Sequence, residues 1–217
     1  MIKAVSLLQS PAAILGLANP FQSTDQGIAT WFHHRLTPAF AGVLHTVTEF
    51  GSSEWIAVVL LGLLLFLAWN RSWPSLITLI VAVPGGMLLN EWIKLLVHRH
   101  RPFVDGPFVD WSGYSFASGH TMGATLLYGQ LLIFLLPLLK GRPLRILCVV
   151  GAASLVLLVG FSRIALGAHF LTDVVAAIVF GIAWLMLCMI FGKSVHRRTV
   201  ALATSIQPVR STLEAGQ

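Results

Sequence analysis

Five apolar runs, at 55–69, 75–97, 121–139, 144–161 and 170–191, constrain this chain more than any other feature. A backbone immersed in hydrocarbon finds no water to bond. Each run must therefore satisfy its own N–H and C=O groups, and a helix does so within one segment. Runs near 20 residues match the apolar thickness of a bilayer. The expected fold is all-α: a polytopic transmembrane helical bundle with five clear spans and a sixth at the N-terminus. The sixth is weakly marked, because Gln9, Ser10 and Pro11 interrupt the apolar stretch 4–18. The same interruption argues against a cleaved signal peptide, which needs an unbroken apolar region. Residues 21–53 mix Trp31, Phe32, His33, His34 and Arg35 ahead of Pro38 and read as an interfacial helix. Pro84-Gly85-Gly86 should kink the second run or allow close packing there. Residues 1–192 form a single membrane-embedded domain, and 193–217 form a polar cytoplasmic tail expected to lack fixed structure.

Only 10% of the 217 residues are charged, against roughly a quarter in ordinary soluble proteins, which excludes that class. The formal charge of +6 favours anionic partners, either lipid headgroups or an anionic substrate. The basic residues make no contiguous stripe, so nucleic acid is not an expected partner. Cys148 and Cys188 lie inside apolar runs and read as small buried hydrophobes. Alternating the spans puts Arg71, then Lys140, Arg142 and Arg145, then Lys193, Arg197 and Arg198 on one side. Short loops rich in Lys and Arg stay cytoplasmic. The loops at 98–117 and 162–169 then face the periplasm or exterior of a bacterial inner (plasma) membrane, with the C-terminus in the cytosol.

That topology delivers Lys94, Arg101, Ser118, Gly119, His120, Arg163, His169 and Asp173 to the same membrane face. Ionisable groups at such depth are costly and point to function. Lys94 offers a point charge, while Arg101 and Arg163 offer planar forks that match phosphoryl oxygens. Ser118 and the Gly119 amide lie where a helix begins, with N–H groups and a positive dipole end. Three cations around one site repel one another unless a multiply charged anion joins them. If His169 opens a helix, Asp173 shares its face and can hold one imidazole nitrogen, leaving the other to attack phosphorus. His120 then serves as the acid for the leaving oxygen and the base for water. The cations fill the electrostatic role a metal would otherwise take, so no metal or other cofactor is expected.

These residues stand as Lys94-Leu-Leu-Val-His-Arg-His-Arg101-Pro102, as Ala117-Ser118-Gly119-His120, and as Ser162-Arg163-Ile-Ala-Leu-Gly-Ala-His169-Phe-Leu-Thr-Asp173. In order and internal spacing the chain resembles the type-2 phosphatidic acid phosphatase superfamily, integral membrane enzymes related to bacterial acid phosphatases and vanadium haloperoxidases. Ala117 stands where that family usually has proline. The resemblance implies the same division of labour: His169 as nucleophile forming a phosphohistidine, His120 as acid and base, and Lys94, Arg101, Ser118, Gly119 and Arg163 as phosphate ligands. It implies as substrate a lipid phosphate monoester or an isoprenoid diphosphate. Undecaprenyl diphosphate, phosphatidic acid and phosphatidylglycerophosphate are the candidates. No obligate protein partner is inferred.

Two other classes compete. His98, His100, His120 and His169 with Asp173 suggest a histidine-ligated, metal-dependent membrane hydrolase, which three neighbouring cations would oppose. A transporter or channel would spread its charges through the membrane depth rather than gather them at one end. Asn90 and Glu91 lie one turn below Lys94, where Glu91 reads as an i,i+3 ion-pair partner. His98, Arg99 and His100 read either as contacts to a second phosphate or headgroup or as solvated loop charges.

Overall fold

A computed structural model describes residues 20–103 and 113–214, with side chains described as far as Gly192. Every regular element among the described residues is an α-helix: α1 (Gln22–His33), α2 (Pro38–Glu49), α3 (Ser53–Trp69), α4 (Trp73–Val97), α5 (Gly119–Leu135), α6 (Arg142–Ala165) and α7 (Leu171–Glu214). The candidate span at 4–18 lies outside the described residues. Among the described residues, four helical stretches are long and apolar enough to cross a membrane: Pro38–Trp69, Trp73–Val97, Arg142–Ala165 and Leu171–Gly192. α5, at 17 residues, falls just short of that length.

The segment 21–53 departs from a single interfacial helix. It forms α1 and α2, and α2 runs on through a short break at 50–52 into α3. Thr37 caps α2 by accepting from the Phe40 N–H at 3.4 Å, with Pro38 at the first helical position. Ser52 caps α3 by accepting from the Trp55 N–H at 3.1 Å. The run expected to reach residue 139 instead leaves the helix after Leu135 and passes through a turn. Residues beyond Gly192 also differ from expectation, because the α7 backbone stays helical to Glu214. A helix already nucleated in the apolar span propagates at little cost into following Ala, Leu and Arg positions.

α5 is the axis of the bundle. It packs against α4, α6 and α7 and also touches α3. Thr121, Met122, Gly123, Ala124, Thr125, Leu126 and Leu127 are all buried along it. Leu79, Val83, Met122, Leu126 and Leu127 form the centre of the apolar core. Lipid tails are as apolar as this core, so close backbone approach has to supply much of the cohesion. At Gly123 an added Cβ would sit 2.3 Å from Ile56 Cδ1, and at Gly86 one would sit 2.6 Å from Leu126 and 2.9 Å from Trp184.

The Pro84-Gly85-Gly86 step lies within a continuous α4 and serves that packing. The proline loosens the helical ladder, and the Trp184 indole donates to the carbonyls of Val81 and Ala82 at 3.2 and 3.1 Å. Outward faces such as Val58, Leu61, Leu65 and Phe66 on α3 and Leu147 on α6 are exposed and suit lipid.

A second, smaller cluster joins α2 to the end of α6 through Ala41, Leu44, Ala165 and Leu166, with Phe32 and Leu36 against it. It seats α1 and α2 against α6, with α1 also touching α7, at the end that carries the charged motifs. The 50–52 break abuts the same end: a Cβ on Gly51 would lie 2.7 Å from the His120 carbonyl oxygen and 2.6 Å from Val159. Gly51→Ala should therefore force the start of α5 to shift, at about 1–3 kcal/mol. It should lower the melting temperature in detergent clearly, whereas Gly62→Ala, which meets nothing within 4 Å inside α3, should leave it unchanged or raise it slightly. Equal melting of the two variants would contradict this packing.

Candidate active site

α4 delivers the first group. Lys94 lies in its last turn and pairs with Glu91 at 2.7 Å, one helical turn back. His98 ends the helix in the left-handed region (φ 52°), its N–H bonded to the Lys94 carbonyl, and turns the chain toward Arg99 and Arg101. Arg101 reaches across this end of the bundle. Its Nε donates to the Gly113 carbonyl at 3.2 Å, its Nη1 donates to the Ala168 carbonyl at 3.1 Å, and Nη1 stands 3.4 Å from His169 Nε2.

Ser118 occupies the N-cap position of α5, without a side-chain bond to the helix backbone, and is fully buried. Its N–H donates to the Asp173 backbone carbonyl at 3.3 Å, and its hydroxyl accepts from Thr121 Oγ1 at 3.0 Å. Gly119 opens the helix with Lys94 at hand, since a Cβ there would lie 3.4 Å from Lys94 Nζ. A side chain at 119 would crowd that ammonium. His120 follows, half-buried, in the field of Arg163, His169, Lys94 and Arg101. Arg163, at the end of α6, is 2% exposed and donates to Thr48 Oγ1 on α2 at 3.3 Å. All eight motif residues read from the sequence thus lie at one end of the bundle.

His169 is positioned differently from the sequence expectation. α7 begins at Leu171, so His169 precedes the helix rather than opening it. Its Nδ1 lies 2.7 Å from the Ser115 backbone carbonyl and 3.7 Å from Asp173 Oδ2. The close hydrogen bond is to the carbonyl, and the carboxylate is an ion-pair neighbour at longer range. A carbonyl oxygen only accepts, so neutral His169 carries its proton on Nδ1. Nε2 keeps the lone pair and faces Arg101. Burial pushes the imidazole down to about 4, helped by Arg163 and Arg101 and opposed by Asp173. That direction favours the uncharged ring at neutral pH.

Asp173 is occupied elsewhere. At the third position of α7 it accepts from the Phe170 N–H at 2.9 Å, as an acidic residue at that position closes a helix start. It also accepts from the Ser115 hydroxyl at 2.7 Å and from Arg99 Nη1. Arg99 is therefore neither a solvated loop charge nor a free phosphate ligand. Its second nitrogen, Nη2, pairs with Asp25 of α1 at 2.7 Å, and its guanidinium covers the Phe170 ring at 4.2 Å.

Asp25 is 1% exposed and accepts from the Thr172 N–H at 3.1 Å and from the Thr172 hydroxyl. Sequence reasoning missed Asp25 and Ser115. The available signal for Asp25 was a lone acid in a membrane-associated segment; nothing marked Ser115. Among the described residues, no three His, Cys, Asp or Glu side chains gather around a point suited to a metal ion.

The hydrogen-bond geometry at Nδ1 fixes a measurable state. Histidine nitrogen shifts at pH 7 in the purified, labelled protein should show neutral His169 as the Nδ1–H tautomer. Asp173→Asn should leave that tautomer in place, because the accepting carbonyl belongs to the backbone. An Nε2–H tautomer in the wild type would contradict the geometry.

Comparison with known proteins agrees with this architecture. A family model described as the PAP2 superfamily matches residues 75–197, the stretch that holds all three motifs. Phosphatidylglycerophosphatase B of Bacillus subtilis (strain 168) is 31% identical over 184 residues, covering 82% of this chain and 88% of that protein. A crystal structure described as the first transmembrane PAP2 type phosphatidylglycerolphosphate phosphatase from Bacillus subtilis superposes with a TM-score of 0.73 at 29% identity. That superposition covers 89% of this chain and 98% of the other. The chain belongs to the PAP2 superfamily and is an integral membrane protein.

Proposed function

We propose that this protein is a membrane lipid phosphatase that hydrolyses a lipid phosphate monoester or isoprenoid diphosphate through a phosphohistidine on His169. The observation that carries the reading is the gathering of Lys94, Arg101 and Arg163 around His120 and His169 at one end of an apolar bundle. A phosphate seated among those cations relieves their mutual repulsion, and Ser118 with the Gly119 amide adds donors at the α5 start.

The lone pair on His169 Nε2 attacks phosphorus. An N–P bond forms as the ester or anhydride P–O bond breaks, and His120 delivers a proton to the departing oxygen. Water then attacks the phosphohistidine, His120 takes its proton, and the N–P bond breaks to release inorganic phosphate. Arg101 and Arg163 stabilise the charge that spreads over the equatorial oxygens. Among substrates, the Bacillus subtilis relative and crystal structure named for phosphatidylglycerophosphate favour that lipid over phosphatidic acid and undecaprenyl diphosphate.

In this reading residues 1–192 are one phosphatase domain. α5 serves as a fifth crossing and 4–18 as a sixth, the site faces the periplasm or exterior, and 193–217 are cytoplasmic. The charge pattern of the loops supports that orientation.

Purified enzyme in detergent should release phosphate from phosphatidylglycerophosphate, retain activity with excess chelator, and be inhibited by vanadate. Loss of activity on chelation would instead favour a metal-dependent hydrolase. His169→Ala or Arg163→Ala should abolish turnover with membrane insertion intact; near wild-type activity in either would refute the assigned roles. Because His169 loses its lone pair only on protonation, the acid limb of kcat/KM should fall near pH 4. An acid limb at the ordinary imidazole value would be inconsistent with the burial of this residue.

A further inference from the structure

Buried Asp25 and half-buried Arg99, which the chemistry above does not use, are joined to His169 by an unbroken set of contacts. The Arg99 fork reaches Asp25 with one nitrogen and Asp173 with the other. Asp173 accepts from the Ser115 hydroxyl, and the Arg99 backbone carbonyl accepts from the Ser115 N–H at 2.8 Å. The Ser115 carbonyl in turn holds His169 Nδ1. Ser115 is thus gripped from both sides by Arg99 and Asp173 while its third polar group orients the imidazole. Asp25 anchors the far end, because it also accepts from Thr172 at the first turn of α7, where helix N–H groups lack intrahelical partners.

We propose that Asp25 and Arg99 are positioning residues for the nucleophile. Through Asp173 and Ser115 they fix the direction of His169 Nε2, and Arg99 offsets a carboxylate whose field favours the imidazolium. The proposal rests on the phosphohistidine reading above. It also makes α1, which lies outside the three sequence motifs, part of the catalytic apparatus. The geometry requires a planar fork: Asp25 and Asp173 are reached by two different nitrogens of one guanidinium, which the point charge of lysine cannot reproduce.

The groups facing His169 set the expected response. They are the Ser115 carbonyl from the loop before α5, Asp173 from α7, Arg101 from the loop after α4, Arg163 from α6, and His120 from α5. Of these only Asp173 is an anion, and Arg99 is its cationic partner. Removing Arg99 leaves Asp173 uncompensated at 3.7 Å from Nδ1, which favours the imidazolium.

The test titrates His169 directly by nitrogen NMR of the labelled, detergent-purified full chain, alongside turnover of the lipid phosphate that the wild type hydrolyses. Arg99→Gln should raise the His169 pKa by about 1 unit or more. It should move the acid limb by the same amount and lower kcat at pH 7 by about 100-fold, the scale of a misdirected reacting group, with little change in KM. Asp25→Asn should lower kcat by about tenfold or more without raising the His169 pKa, since Arg99 then serves Asp173 alone. Arg99→Lys guards against loss of fold: it should keep the His169 pKa near wild type and still lose most of kcat.

A merely structural network would alter melting temperature and yield but neither the pKa nor the kcat of folded enzyme. Folded Arg99→Gln with wild-type pKa and kcat, or folded Arg99→Lys with wild-type kcat, would overturn the proposal. The NMR titration needs no substrate, so a wild type that hydrolyses none of the lipid phosphates would count against the proposed function and leave this inference to be judged separately.

Discussion

Like charges crowded at the end of an apolar bundle are the constraint around which the rest of this protein is arranged. Lys94, Arg101 and Arg163 share a region in which burial weakens solvent screening, and their mutual repulsion opposes folding. Each is anchored by something the fold supplies. Lys94 has Glu91 one turn away, Arg163 has Thr48 and the field of Glu49, and Arg101 is held by the carbonyls of Gly113 and Ala168. Arg99, a fourth cation close by, is committed to two carboxylates. The result is a positively charged end whose side chains are fixed before any anion arrives, the arrangement that makes electrostatic stabilisation of phosphoryl transfer effective.

Rigidity at that end depends on backbone as much as on side chains. The tautomer of His169 is set by a peptide carbonyl, Ser118 is tied to the Asp173 carbonyl, and Ser115 is tied to the Arg99 carbonyl. These contacts knit together four pieces of chain distant in sequence: the exit of α4, the approach to α5, the α6–α7 loop and the first turn of α7. A carboxylate beside a histidine suggests a direct hydrogen bond, yet Asp173 spends its oxygens on Phe170, Ser115 and Arg99. Its influence on the imidazole passes through Ser115 and through its field.

The apolar part of the molecule makes this possible by bringing backbones close. α5 sits among its neighbours through glycines and small residues, and the Gly51 turn lets α2 and α3 pass directly against the His120 carbonyl. A bulkier α5 would push α4 and α6 apart and separate Lys94 from Arg163. Packing near the middle of the bundle and chemistry at its end are therefore coupled through helix spacing.

Much of this was legible in the chain itself. The helical class followed from apolar runs that must satisfy their own backbone groups, and the convergence of Lys94, Arg101, Ser118, His120, Arg163 and His169 at one end followed from span alternation and loop charge. Those signals are local or simply additive along the sequence.

What only the tertiary structure decided were contacts between segments with no sequence relation: Asp25 with Arg99 and Thr172, Ser115 with His169, and Thr48 with Arg163. It also decided that α1 and α2 are packed elements of the site end and that α7 continues past the apolar span. Spacing along a chain fixes which residues share a face of one helix. Which carbonyl or carboxylate meets them from another helix depends on how the helices pack, and no single segment carries that information.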